Sequence, residues 1–112
     1  MSLTSAPEMK TVIKISSILH DGAITGRHCG RVMREAVASA FVCSDEVVLD
    51  FSGVEMITQS AADEFIGRIM RENPGWISQI QFNHCDEAVR EMIQWSAAHA
   101  DSVRQHAEFV AA

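Results

Sequence analysis

A polar stretch in the middle of the chain holds the residues whose types and spacing could do chemistry. Ser60, Asp63 and Glu64 place one hydroxyl and two carboxylates within a few positions of one another. Such groups accept hydrogen bonds from a helix N-terminus, complement its positive end or contact a basic partner. Acid–base catalysis would need a nucleophile beside a base and a substrate pocket, and the spacing indicates neither. The stretch therefore predicts a binding site in a protein that is not an enzyme.

The segments around this stretch predict a strand, a loop and a helix. Residues 46–51 contain the unbroken apolar run Val47-Val48-Leu49, which is typical of a strand buried on both faces. Ser60 and Asp63 have capping-box spacing, so Ser60 is the predicted N-cap. The helix is expected to end at Asn73-Pro74-Gly75. Its predicted buried stripe consists of Phe65, Ile66, Ile69 and Met70. The loop lies outside the carboxyl end of a strand, where open α/β sheets bind ligands.

The rest of the chain continues the alternation of strands and helices. Residues 9–19 predict a first strand and residues 77–82 a third. The order βαβαβα predicts an α/β fold with a mostly parallel sheet covered by helices. We expect one domain over residues 9–110 and a disordered segment over residues 1–8.

Two predicted helix starts bear on this fold. Thr25 is the predicted N-cap of the first long helix, and Gly30 would allow that helix to approach the sheet closely. Asn83 or Asp86 is the predicted cap of the last helix.

Composition excludes several classes of partner. The net charge is −6, and the nine basic residues are dispersed. Binding to a nucleic acid or to an anionic membrane surface needs clustered Lys and Arg, so neither is expected. No apolar run approaches the roughly 18 residues that span a bilayer. The first residues lack the basic and apolar regions of a secretory leader, so we expect a cytoplasmic protein.

The three cysteines do not predict a metal centre. They are odd in number, far apart and without a C-x-x-C pair, so free thiols are expected. His28-Cys29 and His84-Cys85 are adjacent pairs, but neighbouring side chains point in different directions on a helix or strand. We therefore expect neither a metal nor another cofactor.

The run LDFSGVEMITQSAADEF resembles the STAS-like family of unknown function. That family shows a strand ending in Asp-Phe-x-Gly-Val, a small polar loop and Ala-Asp-Glu at a helix start, with an earlier x-Arg that Gly26-Arg27 matches. The resemblance extends from about Thr11 to Ser96. It is more distantly similar to STAS domains, the sulfate-transporter and anti-sigma-factor-antagonist class, which are small α/β modules that bind protein partners. It therefore implies a STAS-like fold and a role in bacterial signal transduction.

The resemblance also implies a control point at Ser60. In the bacterial antagonists the loop reads roughly Asp-Ser-Ser-Gly, and a partner kinase phosphorylates the second serine. These four positions fall on Thr58, Gln59, Ser60 and Ala61, so only the acceptor serine is retained. Ser60 is thus a candidate phosphorylation site as well as the predicted cap.

The site is predicted to form at the loop and helix start spanning residues 56–64. Its predicted partner-binding residues are Thr58, Gln59, Ser60, Asp63, Glu64 and Arg27. The alternative is that Asp63 and Glu64 only complement the helix dipole and that Arg27 is only a solvated charge. Asp50 is expected to anchor the loop as a hydrogen-bond acceptor. The exposed side of the last helix, at Trp95, is the alternative interface.

Two function classes remain from the sequence. The first is a non-catalytic regulatory module that docks a protein partner, such as a histidine-kinase-like ATPase or another signalling protein. The second is a small nucleotide- or ligand-binding domain or enzyme that uses the same crevice. The G-x-G-x-x-G turn that would support the second is missing. Association of two copies is left open.

Overall fold

The computed structural model describes residues 9–19 and 22–111, with side chains up to residue 100, and the N-terminal segment 1–8 lies outside the described residues. The three longer strands alternate with helices along the chain, as predicted. The strands are β1 (Lys10–Lys14), β2 (Ala23–Ile24), β3 (Glu46–Asp50), β4 (Met56–Ile57) and β5 (Ile80–Asn83). The helices are α1 (Ile15–Ile18), α2 (Gly26–Cys43), α3 (Gln59–Ala62), a π-helix (Asp63–Gly67), α4 (Arg68–Glu72), a 3₁₀ helix (Pro74–Gln79) and α5 (Glu87–Ala111).

The main sheet has three strands in the order β1-β3-β5, and both pairs are parallel. The predicted α/β fold with a parallel sheet is therefore confirmed. Val47 and Leu49 of the central strand are fully buried on the face that meets the helices. The π-helix contacts both α2 and α5, so the long helices form one layer against this face. On the opposite face, Val12 and Gln81 are exposed on either side of Val48.

Two predicted strands are shorter in the structure than in the sequence analysis. The first ends at Lys14, because the chain then makes one helical turn that buries Ile15. The third begins at Ile80, because Pro74 opens a 3₁₀ helix that continues to Gln79. Proline at the first helical position has its backbone already set for a helix, so residues 77–79 do not extend into a strand.

A second, two-stranded parallel sheet was not predicted. β2 pairs with β4, in register from Ala23↔Met56 to Ile24↔Ile57. The backbone N–H of Glu55 donates to the Gly22 carbonyl at 2.7 Å, and that of Thr58 donates to the Ile24 carbonyl at 2.9 Å. These bonds hold the loop after β3 beside the N-terminus of α2, and so they position the predicted site.

Gly30 allows α2 to lie against α3. A Cβ atom on Gly30 would stand 2.3 Å from the carbonyl oxygen of Ala61 and 3.0 Å from the Cβ of Glu64. The close approach expected at Gly30 is therefore present, but its partner is helix α3 and the expectation of contact with the sheet was wrong. This contact brings the N-terminal turns of α2 and α3 together.

Helix α5 packs on α3, the π-helix and α4 through one face and leaves the other in solvent. Its first turn is capped by Asp86, whose carboxylate accepts from the backbone N–H of Ala88 at 3.4 Å. Val89, Ile93 and Ala100 are buried on the inner face, whereas Trp95 is 45% exposed on the outer one. Across the described part of the chain, no helix combines the length and apolar character needed to cross a bilayer.

Candidate functional site

Thr58 caps helix α3, and the prediction that Ser60 is the cap was wrong. Thr58 has extended backbone angles, and its hydroxyl accepts from the backbone N–H of Ala61 at 3.3 Å. Ser60 already lies in the first turn, so the predicted capping box with Asp63 does not form. The sequence offered two hydroxyls separated by one residue. The helix begins at Gln59, because β4 ends at Ile57 and Thr58 has the extended backbone of a cap.

The Thr58 hydroxyl also accepts from the backbone N–H of Gly26, at 3.1 Å. One oxygen therefore serves an N–H group at the start of α2 and another in the first turn of α3. Thr25 occupies the N-cap position of α2, as predicted, but its own side chain makes no capping bond. The hydrogen bond that the Gly26 N–H donates to Thr58 takes the place of the expected Thr25 cap.

Thr58→Ala should lower the free energy of unfolding by about 1–2 kcal/mol, since it leaves two N–H groups without their acceptor. Ser60→Ala is the matched control, and it should cost less than about 0.5 kcal/mol. Urea unfolding of the two variants and the parent protein measures the difference. An equal loss in both variants would show that Thr58 does not carry the cap.

The adjacent carboxylates Asp63 and Glu64 point into different environments. The Glu64 carboxylate lies 2.7 Å from Arg34 and 3.4 Å from Arg68, and its side chain is only 14% exposed. The hydrogen bond from Arg34 lowers the pKa of Glu64 below its ordinary value against the opposing effect of burial. Asp63 is more exposed and pairs with Arg71 at 3.3 Å. Glu64 is therefore tied up within the fold, whereas Asp63 is available at the surface.

The π-helix explains part of the Glu64 arrangement. Arg34 donates to the backbone carbonyl of Glu64 at 2.8 Å as well as to its carboxylate. A π-turn replaces i→i−4 bonds with i→i−5 bonds and is often found at functional sites. Arg34 provides the Glu64 carbonyl with a side-chain donor at the point where the backbone hydrogen bonds change from the i→i−4 to the i→i−5 pattern.

Asp50 anchors the loop, as predicted. Its carboxylate accepts from the backbone N–H of Ser52 at 2.9 Å and from the Ser52 hydroxyl at 2.6 Å. His84, a non-glycine residue in the left-handed region with φ of 58°, lies 3.1 Å away through Nδ1. The hydrogen bonds from Ser52 are the main reason that the pKa of Asp50 falls to about 2. Asp50 thus ties the loop after β3 to the loop after β5.

The lowered pKa values predict a loss of stability in acid. A carboxylate with a depressed folded-state pKa contributes stability above its unfolded pKa, and that contribution is lost as the pH falls through the folded value. For Asp50 the window runs from about pH 4 down to about pH 2. Asp50→Asn should therefore lose less stability than the parent between pH 5 and pH 2.5, and Ser52→Ala should shift in the same direction. Urea unfolding at the two pH values tests this, and an undiminished pH dependence in Asp50→Asn would contradict it.

Four of the predicted partner-binding residues come together in a shallow concavity of about 410 Å³. We call it the Ser60–Trp95 surface, and it consists of Arg27, Gln59, Ser60, Asp63, Trp95 and His99. Thr58 is beside it but is occupied as the cap, and Glu64 is enclosed by Arg34. The predicted loop site and the alternative interface at Trp95 are therefore parts of one surface.

Trp95 and His99 form the aromatic side of this surface. Their rings stack at 4.9 Å between centroids with an interplanar angle of 9°. Trp95 was predicted only as an alternative interface and His99 was not predicted, although an i, i+4 pair on a helix was a usable signal. Their position beside Ser60 depends on the packing of α5 against α3, which the local pattern does not contain.

The chemistry available on this surface is recognition by charge, hydrogen bonding and an aromatic face. Arg27 and Asp63 supply charges of opposite sign, and Gln59 and Ser60 supply polar groups. Among the residues with described positions, no three His, Cys, Asp or Glu side chains are grouped in a way that could hold a metal ion. The described cysteines are free thiols.

A family model described as a STAS-like domain of unknown function (DUF4325) matches residues 30–90, which is more than half of the chain. The match runs from Gly30 in α2 to the first turn of α5 and includes Ser60 and Asp63. It is shorter than the expected range from Thr11 to Ser96, and Trp95 and His99 lie beyond it. No curated protein and no solved structure matches the chain significantly.

Proposed function

The chain belongs to the family of STAS-like domains of unknown function, and from this premise we propose that it is a non-catalytic regulatory module that binds a protein partner through the Ser60–Trp95 surface. The observation that carries the proposal is the position of Trp95. An exposed tryptophan stands on the same concavity as Ser60 and Asp63. Tryptophan is enriched among the residues that contribute most to protein–protein binding.

The composition of the surrounding surface supports a protein partner. Met92 and Trp95 line the adjoining hollow together with Gln59. Aromatic residues, methionine and arginine are over-represented at protein interfaces, and polar groups surround the apolar centre. The Ser60–Trp95 surface has this arrangement, with Trp95 at its aromatic side and Arg27 and Asp63 among its charged residues.

Electrostatics favour a partner with a basic contact patch. The net charge of the chain is −6. Asp63 is the carboxylate of the Ser60–Trp95 surface. Its side chain is more exposed than that of Glu64, which is held by Arg34. Opposite charges across an interface mainly raise the association rate, and salt screens that effect. Partner capture should therefore weaken as ionic strength rises.

Phosphorylation of Ser60 is the regulatory step in this proposal. The Ser60 hydroxyl is half-buried and lies 3.4 Å from that of Thr58, so a kinase would need to reach it through the concavity. A phosphate adds a charge of about −1.5 to −2. Arg27 on the same surface would attract it, while Asp63 would repel it. The modified surface would thus present a different charge to the partner without a change in the cap, which Thr58 provides.

The family resemblance makes a histidine-kinase-like ATPase or another signalling protein the expected kind of partner. The alternative is a small ligand or nucleotide, or a substrate, held in the same concavity. The exposed Trp95 favours the first, because a flat aromatic face beside opposite charges suits a macromolecular surface.

Capture of partners from a lysate of the native cell tests the proposal. The variants leave Glu64 intact, because Glu64 is held by Arg34 within the fold. Trp95→Ala and Asp63→Lys should each reduce capture of the same partner, and Ser60→Glu should change it. Val42→Ala is the matched control, since Val42 is 86% exposed. It lies about 22 Å from Arg27 along the axis of α2. This control should capture the partner as the parent does.

Thermal unfolding must accompany the assay, so that a loss of capture in an unfolded variant is not counted. Equal capture of the same proteins by folded Trp95→Ala and Asp63→Lys would show that this surface is not the interface. Saturable turnover by highly purified protein that disappears with Asp63→Asn would overturn the non-catalytic assignment and favour the alternative.

A further inference from the structure

A second hollow lies on the other side of α5, away from the Ser60–Trp95 surface. It is an open cleft of about 210 Å³ between α5, the 3₁₀ helix and β5. Its lining is almost wholly apolar, and the two polar side chains in it, Arg90 and Gln94, belong to α5. The lining residues are Ile66, Ile77, Phe82, Cys85, Arg90, Ile93, Gln94 and Ala97. None of them belongs to the Ser60–Trp95 surface.

The cleft exists because of the 3₁₀ helix. Ile77 belongs to that helix and forms one wall, while Phe82 of β5 forms the next. If residues 77–79 extended β5, Ile77 would belong to the sheet and would not form this wall. Arg90, Ile93, Gln94 and Ala97 follow the i, i+3, i+4, i+7 spacing, so they form one stripe of α5 along the opposite side.

Arg90 gives the apolar cleft a single positive charge. Its side chain is exposed, and no described carboxylate lies within salt-bridge distance of it. Burial raises the pKa of the Cys85 thiol while the charge of Arg90 acts in the opposite direction. Arg90 therefore lies close enough to Cys85 for its charge to act on the thiol.

We propose that this cleft binds a straight-chain fatty acid of medium length, with the hydrocarbon chain between Ile66, Phe82 and Ile93 and the carboxylate at Arg90. An apolar cavity of about 150 Å³ is large enough for benzene, so a space of about 210 Å³ suits roughly six to nine carbon atoms. An uncharged hydrocarbon would make no use of Arg90, and a cationic amphiphile would be repelled by it. Arginine pairs with a carboxylate in charge-assisted hydrogen bonds. The inference is independent of the proposed protein partner.

Titration of the full chain with sodium octanoate, followed by two-dimensional NMR or calorimetry, tests the assignment. Saturable binding is expected, with the largest shifts at residues 77–97. Butyrate should bind much more weakly because it fills less of the cleft, and octylamine should bind more weakly because of its charge. Arg90→Gln should weaken octanoate binding about three- to tenfold and leave octanol binding nearly unchanged.

Two further variants control the experiment. Ala97→Phe should fill the cleft and abolish octanoate binding in a protein whose thermal unfolding remains cooperative. Trp95→Ala should bind octanoate as the parent does, which separates this cleft from the partner surface. Absence of saturable binding, or binding that Ala97→Phe and Arg90→Gln both leave unchanged, would overturn the proposal. So would a concentration-dependent dimer that Ala97→Phe dissociates and octanoate does not affect, because a second copy would then be the occupant.

Discussion

Replacing Gly30 with alanine should destabilise the protein by about 3 kcal/mol, although alanine favours a helix more than glycine does. The added Cβ would lie 2.3 Å from the carbonyl oxygen of Ala61 and 3.0 Å from the Cβ of Glu64. Neither neighbour is the end of a flexible side chain, so α2 and α3 would have to move apart. That movement would also lengthen the bond from Gly26 to Thr58 and disturb the first turn at Ser60.

Gly75→Ala is the matched control for this prediction. A Cβ at Gly75 would meet nothing within 4 Å, and Gly75 does not have a positive φ. Its free energy of unfolding should stay within about 0.5 kcal/mol of the parent value. Urea unfolding of the three proteins gives the comparison. If Gly30→Ala were as stable as Gly75→Ala, the two helices would have to be further apart than the structure places them.

Replacing Arg34 with methionine should cost about 2–4 kcal/mol. The substitution keeps much of the aliphatic stem but removes both hydrogen bonds that Arg34 Nη1 donates to Glu64, one to its carboxylate and one to its backbone carbonyl. Arg34 and Glu64 are 17% and 14% exposed, so water replaces these bonds poorly. Arg68, at 3.4 Å, is the remaining partner of the Glu64 carboxylate among the ion pairs of the described residues.

The ion pair between Arg71 and Asp63 provides the comparison. Its side chains are 30% and 36% exposed, so Arg71→Met should cost less than about 1 kcal/mol. A double-mutant cycle with Arg34→Met and Glu64→Leu would measure the coupling between the buried pair directly. A cost for Arg34→Met no larger than that for Arg71→Met would show that Arg34 does not hold the π-helix in place.

The elements that could be predicted from the sequence are those whose signals are local. The run Val47-Val48-Leu49 predicted the central strand, and the sequence Asn73-Pro74-Gly75 predicted the end of α4. Asp50 was predicted to anchor a loop, because a polar residue at the end of a buried strand needs partners there. In each case the reason lies within a few residues of the element itself.

The features that were missed depend on residues far apart in the chain. β2 and β4 have two residues each, too few to show any periodicity, and they pair across more than thirty positions. The sequence could not distinguish Asp63 from Glu64, because the difference comes from Arg34, thirty residues earlier. The π-helix likewise keeps Phe65, Ile66 and Ile69 buried, so the apolar pattern predicted an ordinary helix.

The π-helix also sets the direction in which Ser60 points around the helix axis, relative to the buried side of the helix at Ile69. Asp63 and Arg71 are eight residues apart, and in a regular α-helix that spacing would put them roughly 80° apart around the axis. The wider π-turn rotates less per residue, and the two side chains meet at 3.3 Å. Regular α-helical bonding through the same residues would swing the Ser60 end of the helix by roughly 80° relative to Ile69. The π-turn therefore determines whether Ser60 faces Trp95.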